Sequence, residues 1–445
     1  MTPAPRNGLR QALFGWLNLA LTAPGVYLWL GLPLVLRQHG WTGTAIGLFQ
    51  LASLPTVFKF LFAMPLDGRG RRRGAYRGWA AGLLLAYAAV LGALGWRELL
   101  DERWTLFALA AAAALAGTWA DVPVNALAIR ILPASGRAWA GGIRSMALCL
   151  GAIAGGGLML LAQSRWGWQA PFLIMAGALA LGAALTLLIR NEGEAGAPDR
   201  PARMPAASAR LRAYFRLDAS RRWLPLLALL FPFIGSGWFY LKPLLLDQGL
   251  PADRVAWLVG VAGGAVGAAA SAVGARGLKR AGPGIAVPAH AAASFAALLG
   301  LAAAVALQAP PAALIACALG IAAAMGANAA LAFGLMMSHA RPGLQALDYG
   351  IQSSLFSLTR ILALPAAGLL LDVAGPAWML AALSAAAAGV LLLALLVSDA
   401  LVVDHGQRGF HVTPISLEDF RDITENRVLL ETEALRQSIA LGDDD

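Results

Sequence analysis

Runs of about twenty apolar residues recur along nearly the whole of this chain, more than any water-soluble core could bury. A bilayer core about 30 Å thick is crossed by a helix of about twenty apolar residues. Within it, backbone N–H and C=O groups must be satisfied inside the segment, which selects helices. The charge content agrees. Of 445 residues, 59% are hydrophobic and only 13% charged, where soluble domains carry about a quarter. The expected fold class is therefore an all-α polytopic membrane protein. Its 50 glycines suit helices that must approach closely in lipid.

Charged residues and Pro/Gly breaks divide the apolar runs into about twelve spans. The first six are expected near 12–36, 44–65, 78–96, 105–132, 140–163 and 169–189. The second six are expected near 223–246, 254–275, 285–307, 312–338, 344–371 and 377–397. Arg6 and Arg10 precede the first run, which continues past Pro24 without a small-residue cleavage site and reads as a retained helix rather than a signal peptide. The arginine clusters fall in alternate loops: Arg69 to Arg77, Arg137, Arg190 to Arg222, and Arg276 with Lys279 and Arg280. By the positive-inside rule both termini are expected in the cytoplasm. The net charge of +10 is explained by these loops and does not call for a nucleic-acid partner. Cys149 and Cys317 sit inside apolar runs without partner spacing, as small core residues do, so neither a disulfide framework nor a metal site is expected.

The polar, Pro/Ala-rich and basic segment at 191–216 reads as a cytoplasmic linker. The expected organisation is a six-helix half over 1–190, a linker over 191–221, a second half over 222–397 and an acidic tail over 398–445. GGIRS at 141–145 matches YGIQS at 349–353, an offset of 208 that also superposes Gly167 on Gly375. This ordering agrees with an internal duplication, as in transporters built from parallel six-helix repeats. In the tail, Ser416 and Asp419 fit a capping box, and Ile423, Leu430 and Leu435 recur at helical spacing. That pattern fits a partner-binding helix or a plain surface segment.

Ionisable groups at membrane depth are the candidate functional residues, because each carries a desolvation penalty unless paired or wetted. Lys59 lies about eight residues before the next loop, about 12 Å of helix rise, so a cavity-lining position is favoured over snorkelling. Asp121 in the fourth span has Asn125 one turn later on the same face. Its sensible partners are Lys59 and Arg144, in a proton-coupling pair or in a static structural one. Arg360 is deep in the eleventh span, and Asn328 lies in the Ala-rich tenth. Asn328 could contact solute, although helix packing is its plainer role. Together Lys59, Asp121, Asn125, Arg144, Asn328 and Arg360 form the candidate solute site.

The loop PLDGRGRRRG at 65–74 resembles the signature loop of major facilitator transporters. More specifically, VFKFLFAMPLDGRGRRRG (57–74), ADVPVNALAIRILP (120–133) and SRWGWQAPF (164–172) resemble the muropeptide permease branch and the related siderophore permeases. The resemblance covers roughly residues 10–397 and carries over Lys59, Asp67 and Asp121. It implies that Asp67, with Arg71 and Arg72, latches one gating state, and that the loop arginines meet anionic lipid. It also implies import across a bacterial inner membrane, driven by protons, by a monomer without cofactors. The solute would be bulky, polar and anionic, a ferric siderophore or an anhydro-muropeptide. Two departures stand out. Asn125 replaces the branch's second aspartate, and Ala120 replaces its glutamine. The run Ala128, Ile129, Arg130 is closer to the siderophore group.

Other classes fit less well. The histidines, His39, His290, His339, His405 and His411, fall at loops, span ends or the tail, so a membrane enzyme lacks a positioned base. No GxxxxGK[ST] pattern supports ATP-driven transport. A non-transporting sensor and a drug or metabolite exporter are the remaining alternatives.

Overall fold

The computed structural model describes residues 4–70, 75–189 and 207–401. Among these, the apolar runs fold as helices that make twelve crossings, numbered here in chain order. The first six are α1 (Gly8–Gln38), α2 (Leu48–Leu66), α3 (Tyr76–Trp96), α4 (Arg103–Ile131), α5 (Gly136–Trp166) and α6 (Gln169–Leu187). The last six are α7 (Asp218–Asp247), α8 (254–281), α9 (283–306), α10 (Pro311–Ser338), α11 (Gln345–Ala374) and α12 (Pro376–Val397). Helices α8 and α9 run on from each other almost without a loop. The chain turns at Gly282 alone, whose φ of 74° is open to glycine, and Pro283 starts the next crossing. Most of the acidic tail, 402–445, lies outside the described residues, as does 190–206 of the linker.

Successive helices run in opposite directions, so Arg77, Arg137, Arg210, Arg276, Lys279 and Arg280 share one end of the bundle, called here the basic end. A helix over Ala207–Arg216, still within the predicted linker, is fastened to the last six helices there. Arg341 clasps the fully buried Asp348 through its guanidinium at 2.7 and 2.8 Å and its backbone N–H at 2.9 Å. Its side chain also lies 5.3 Å from the ring centre of the buried Tyr214, so the short helix is anchored by a cation over an aromatic face.

Between the first six and the last six helices the seam is made of small residues, which let backbones touch. Gly141 of α5 lies so near Gly334 of α10 that a methyl group at 141 would overlap the backbone of 334. Alongside, Gly142 faces Ala275 of α8, and Cys149 packs on Gly267 nearer mid-membrane. Ser145 of α5 shares hydroxyl hydrogen bonds with Ser271 of α8 at 2.9 Å and with the Gly326 carbonyl of α10 at 2.9 Å. Opposite, Gly350 of α11 sits against Ala63 and Phe60 of α2, and the Phe60 N–H donates to Ser354 Oγ at 3.1 Å. These contacts run from the basic end to mid-membrane, so the bundle is sealed at that end.

Filling this seam should disturb it selectively. Gly141→Val is expected to lower the thermal midpoint of the purified protein by the equivalent of about 1–3 kcal/mol of overpacking. Gly177→Val, where the added carbon meets nothing within 4 Å, should leave the midpoint unchanged in the same fluorescence melt.

Candidate functional site

Pro123 lies within α4, two residues after Asp121. The Asn125 side chain folds back along the same helix, its Nδ2 donating to the Asp121 carbonyl at 2.7 Å and to Asp121 Oδ1 at 3.0 Å. The carboxylate is thereby held in one orientation, and Asp121 is only 8% exposed. From α2, Lys59 Nζ reaches Asp121 Oδ2 at 2.8 Å. From α5, Arg144 takes the same carboxylate in a fork, 2.8 Å to Oδ1 and 3.1 Å to Oδ2. The sequence left Lys59 and Arg144 as two possible partners for Asp121, and the fold supplies both at once.

Arg144 does more than pair. It donates to Asn18 Oδ1 of α1 at 3.0 Å. Its guanidinium also lies 4.7 Å from the ring centre of Phe333 in α10 and 5.4 Å from that of Tyr349 in α11. This one side chain of α5 therefore touches two other helices of the first six, α1 and α4, and two of the last six, α10 and α11. A guanidinium suits this post, since it is planar, always charged and able to stack while it forks.

Arg360 enters from α11, half-buried, and its charge bears on Lys59. Among the described residues it has no carboxylate partner. The cluster thus sets three cations against one anion at membrane depth. Burying each such ion costs several kcal/mol that pairing must offset, and Asp121 can offset only part of it. Polar atoms are also left over: Asn125 Oδ1, Arg144 Nε and the Tyr349 hydroxyl are buried without a partner. The cluster is therefore net positive among the described residues, with two orphaned donors, Arg144 Nε and the Tyr349 hydroxyl, beside it.

Not every candidate joins this cluster. Asn328 donates to the His290 carbonyl at 3.2 Å and to Ser294, both in α9, so its amide holds α10 to α9. The side chain of Asp67, together with Arg71 and Arg72, falls outside the described residues. The sequence reading missed Asn18, Phe333 and Tyr349. Asn18 carries a readable signal, an amide in the middle of an apolar run; the two aromatics carry none, because aromatic residues in a span are commonplace.

The positions matched by GGIRS and YGIQS are related in space as well. Arg144 of α5 bonds to α1 and α4. Its counterpart Gln352 of α11 accepts from Trp223 Nε1 of α7 at 2.6 Å and donates to the Met336 carbonyl of α10 at 3.1 Å. Each residue ties its own helix to the first and fourth crossings of its set of six.

The family model described as Major Facilitator Superfamily matches residues 15–354. The chain belongs to that superfamily. It is similar to a major facilitator transporter, FucP, in the outward conformation, with a TM-score of 0.67 and 19% identity, over 88% of this chain and 98% of that one. Among curated proteins it is 29% identical to the anhydromuropeptide permease of Escherichia coli (strain K12) over 266 residues, 58% of this chain and 51% of the permease. A separate stretch of likeness, 59% identity over 51 residues, is to the uncharacterized HTH-type transcriptional regulator BphR of Paraburkholderia xenovorans (strain LB400), 12% of this chain and 21% of the regulator. The chain therefore spans about half the length of the first relative and a fifth of the second. It is thus a multi-pass membrane protein of a superfamily whose members carry small-molecule solutes.

The pairing makes a graded prediction. Asp121→Ala strands two buried cations and is expected to destabilise the purified protein by about 3–5 kcal/mol, whereas Asn18→Leu, removing one acceptor, should cost about 1–3 kcal/mol. Combining Asp121→Leu with Lys59→Met should cost less than the two single changes added together, which a double-mutant cycle on thermal midpoints would read.

Proposed function

We propose that this transporter carries a bulky, polar, anionic solute into the cytoplasm by alternating access, with the Lys59–Asp121–Arg144–Arg360 cluster as its binding determinant. The observation that carries this reading is the excess of cations over anions at the centre of the bundle, with Arg360 lacking an acid among the described residues. A carboxylate-bearing solute would complete the charge balance. Arg360 and Lys59 would take its anionic groups, and the Phe333 and Tyr349 faces would pack beside them.

Likeness to the anhydromuropeptide permease favours an anhydro-muropeptide, whose peptide carries carboxylates. A ferric siderophore is the second reading. Asn125, standing where the resemblance would place a second aspartate, leaves the cluster more positive and suits a solute with more negative charge. Entry would come from the end opposite the basic seal, in an inner membrane with the basic end cytoplasmic.

Proton coupling follows from the same geometry as a proposal. Solute anions would draw Lys59 and Arg144 away from Asp121. A carboxylate deprived of its cations at membrane depth is a proton acceptor. Its protonation would release the Arg144 bridge between the two sets of helices and let the seam part. Asp67, Arg71 and Arg72 would latch the opposite movement, and the protein would act as a monomer.

Uptake into proteoliposomes tests both parts, with labelled anhydro-muropeptide, ferric siderophore and a neutral sugar offered in parallel. Arg360→Gln is expected to reduce uptake of the anionic solute by at least about tenfold, the value of one charged contact. Asp121→Asn should abolish accumulation driven by a proton gradient while sparing solute exchange. Transport of the neutral sugar alone, unaffected by Arg360→Gln, would overturn the reading.

A further inference from the structure

The outer part of α7 carries a cation that the central cluster does not use. Lys242 is half-buried, five residues before the end of α7, and has no acid or hydrogen-bond partner among the described residues. Its neighbours on the helix fix the direction it faces. Gly237 lies against Leu298 of α9 and Ile321 of α10, in the core of the last six helices. Successive residues of a helix turn by about 100°, so Phe239 stands nearly opposite that core. On one flank of Phe239, the Trp238 ring covers Gly263 of α8. On the other, the Tyr240 hydroxyl donates to the Leu364 carbonyl of α11 at 2.9 Å. The arc of α7 between α8 and α11 therefore holds Phe239, Lys242, Pro243 and Leu246.

Both of those helices meet the first six. Gly264 of α8 lies on Ile153 of α5, and Gly350 of α11 lies on Phe60 and Ala63 of α2. The arc between them thus faces the first six helices rather than lipid. Phe239 and Leu246 are nonetheless 55% and 44% exposed, so an open mouth separates the two sets beyond the basic seal. The facing wall comes from α1, where Leu30 and Leu34 are exposed. They are bounded in the same way, by Gly31 against the Gly155 carbonyl of α5 and by Trp29, whose carbonyl accepts from Gln50 of α2 at 3.0 Å. Lys242 is a cation set between apolar walls, which focus its field on whatever enters.

Its depth follows from the same contacts. Leu364 is one turn outward of Arg360, and Lys242 is two residues outward of Tyr240. At 1.5 Å of rise per residue, Lys242 stands about 9 Å further out than Arg360. We propose that Lys242 is a second anion contact on the solute pathway, so that the solute carries two anionic groups about 9 Å apart with apolar surface between them. This rests on the reading of the central cluster as an anion site. Lys59 and Arg360 take the inner group, Lys242 takes the outer one, and Phe239, Leu30 and Leu34 flank the span between. A solute with one anionic group is held at one end only, so Lys242 selects for the doubly charged molecule.

Two measurements test this. In the first, the full-length protein carrying Phe239→Cys is placed in phosphatidylcholine nanodiscs and labelled with an anionic and a cationic methanethiosulfonate. Wild-type protein, with Cys149 and Cys317, gives the background rate. The anionic reagent is expected to react faster. Adding Lys242→Gln should lower the anionic-to-cationic rate ratio about tenfold, the effect in water of one charge about 6 Å away. Leu246→Cys serves if the Phe239 variant does not fold. No labelling at either position, or a ratio unmoved by Lys242→Gln, overturns the proposal by placing Lys242 outside the mouth.

The second measurement is proteoliposome uptake of anhydro-muropeptide and of the same compound with all but one carboxylate amidated. Lys242→Gln should raise KM for the carboxylated form at least fivefold, leave the maximal rate and the amidated form unchanged, and be rescued by Lys242→Arg. An equal effect on both forms, or none on either, overturns the second anionic group. Wild-type protein that takes up neither form while the reagent ratio holds would overturn the muropeptide reading alone, with the ratio still supporting Lys242 as an anion site.

Discussion

A single carboxylate organises the middle of this molecule. Asp121 receives Lys59 from α2, Arg144 from α5 and Asn125 from its own helix, all within 3.1 Å. In a bilayer such a group is tolerable only because those donors replace water. The positions of α2, α4 and α5 are therefore tied to one another by a requirement that does not relax. Arg144 extends the requirement across the bundle. The guanidinium that neutralises Asp121 also rests on Phe333 and Tyr349, so the last six helices pack directly against the side chain that pairs with the carboxylate.

The matched positions show how one motif serves two purposes. Arg144 and Gln352 occupy equivalent places, and each ties its helix to two neighbours. The glutamine does so through neutral hydrogen bonds, accepting from Trp223 and donating to the Met336 and Asp348 carbonyls. The arginine does so with a charge that needs an acid. A structural device on one side has thus become an electrostatic one on the other, and the sensitivity to ions sits with the first six helices.

Much of this was legible in advance because membrane depth makes each ionisable residue expensive. Lys59, Asp121, Arg144 and Arg360 stand out in the sequence for that reason, and the apolar runs mark the crossings to within a few residues. What was not legible has equally physical causes. Asn328 looks like Asn18 in sequence, yet one bonds a neighbouring helix backbone and the other bonds the central arginine. Only the rotation of each helix decides between them. Phe333 and Tyr349 are indistinguishable from ordinary apolar filling until a cation is found above their rings. The break between α8 and α9 was marked by Arg276, Lys279, Arg280 and the Gly282-Pro283 pair, but that the chain turns at Gly282 alone, with helix up to it on both sides, is a matter of one backbone angle that composition does not record.

The closest approaches in the seam between α5, α8 and α10 are of glycine backbone, methyl groups and a pair of serines, flanked by two cation–ring contacts, Arg144 on Phe333 and Arg276 on Trp139. Parting such surfaces breaks van der Waals contact and a few hydroxyl bonds, while the helical hydrogen bonds on either side stay intact. The resistance to opening at those approaches therefore grows smoothly with separated area. Such a contact is a soft mechanical catch.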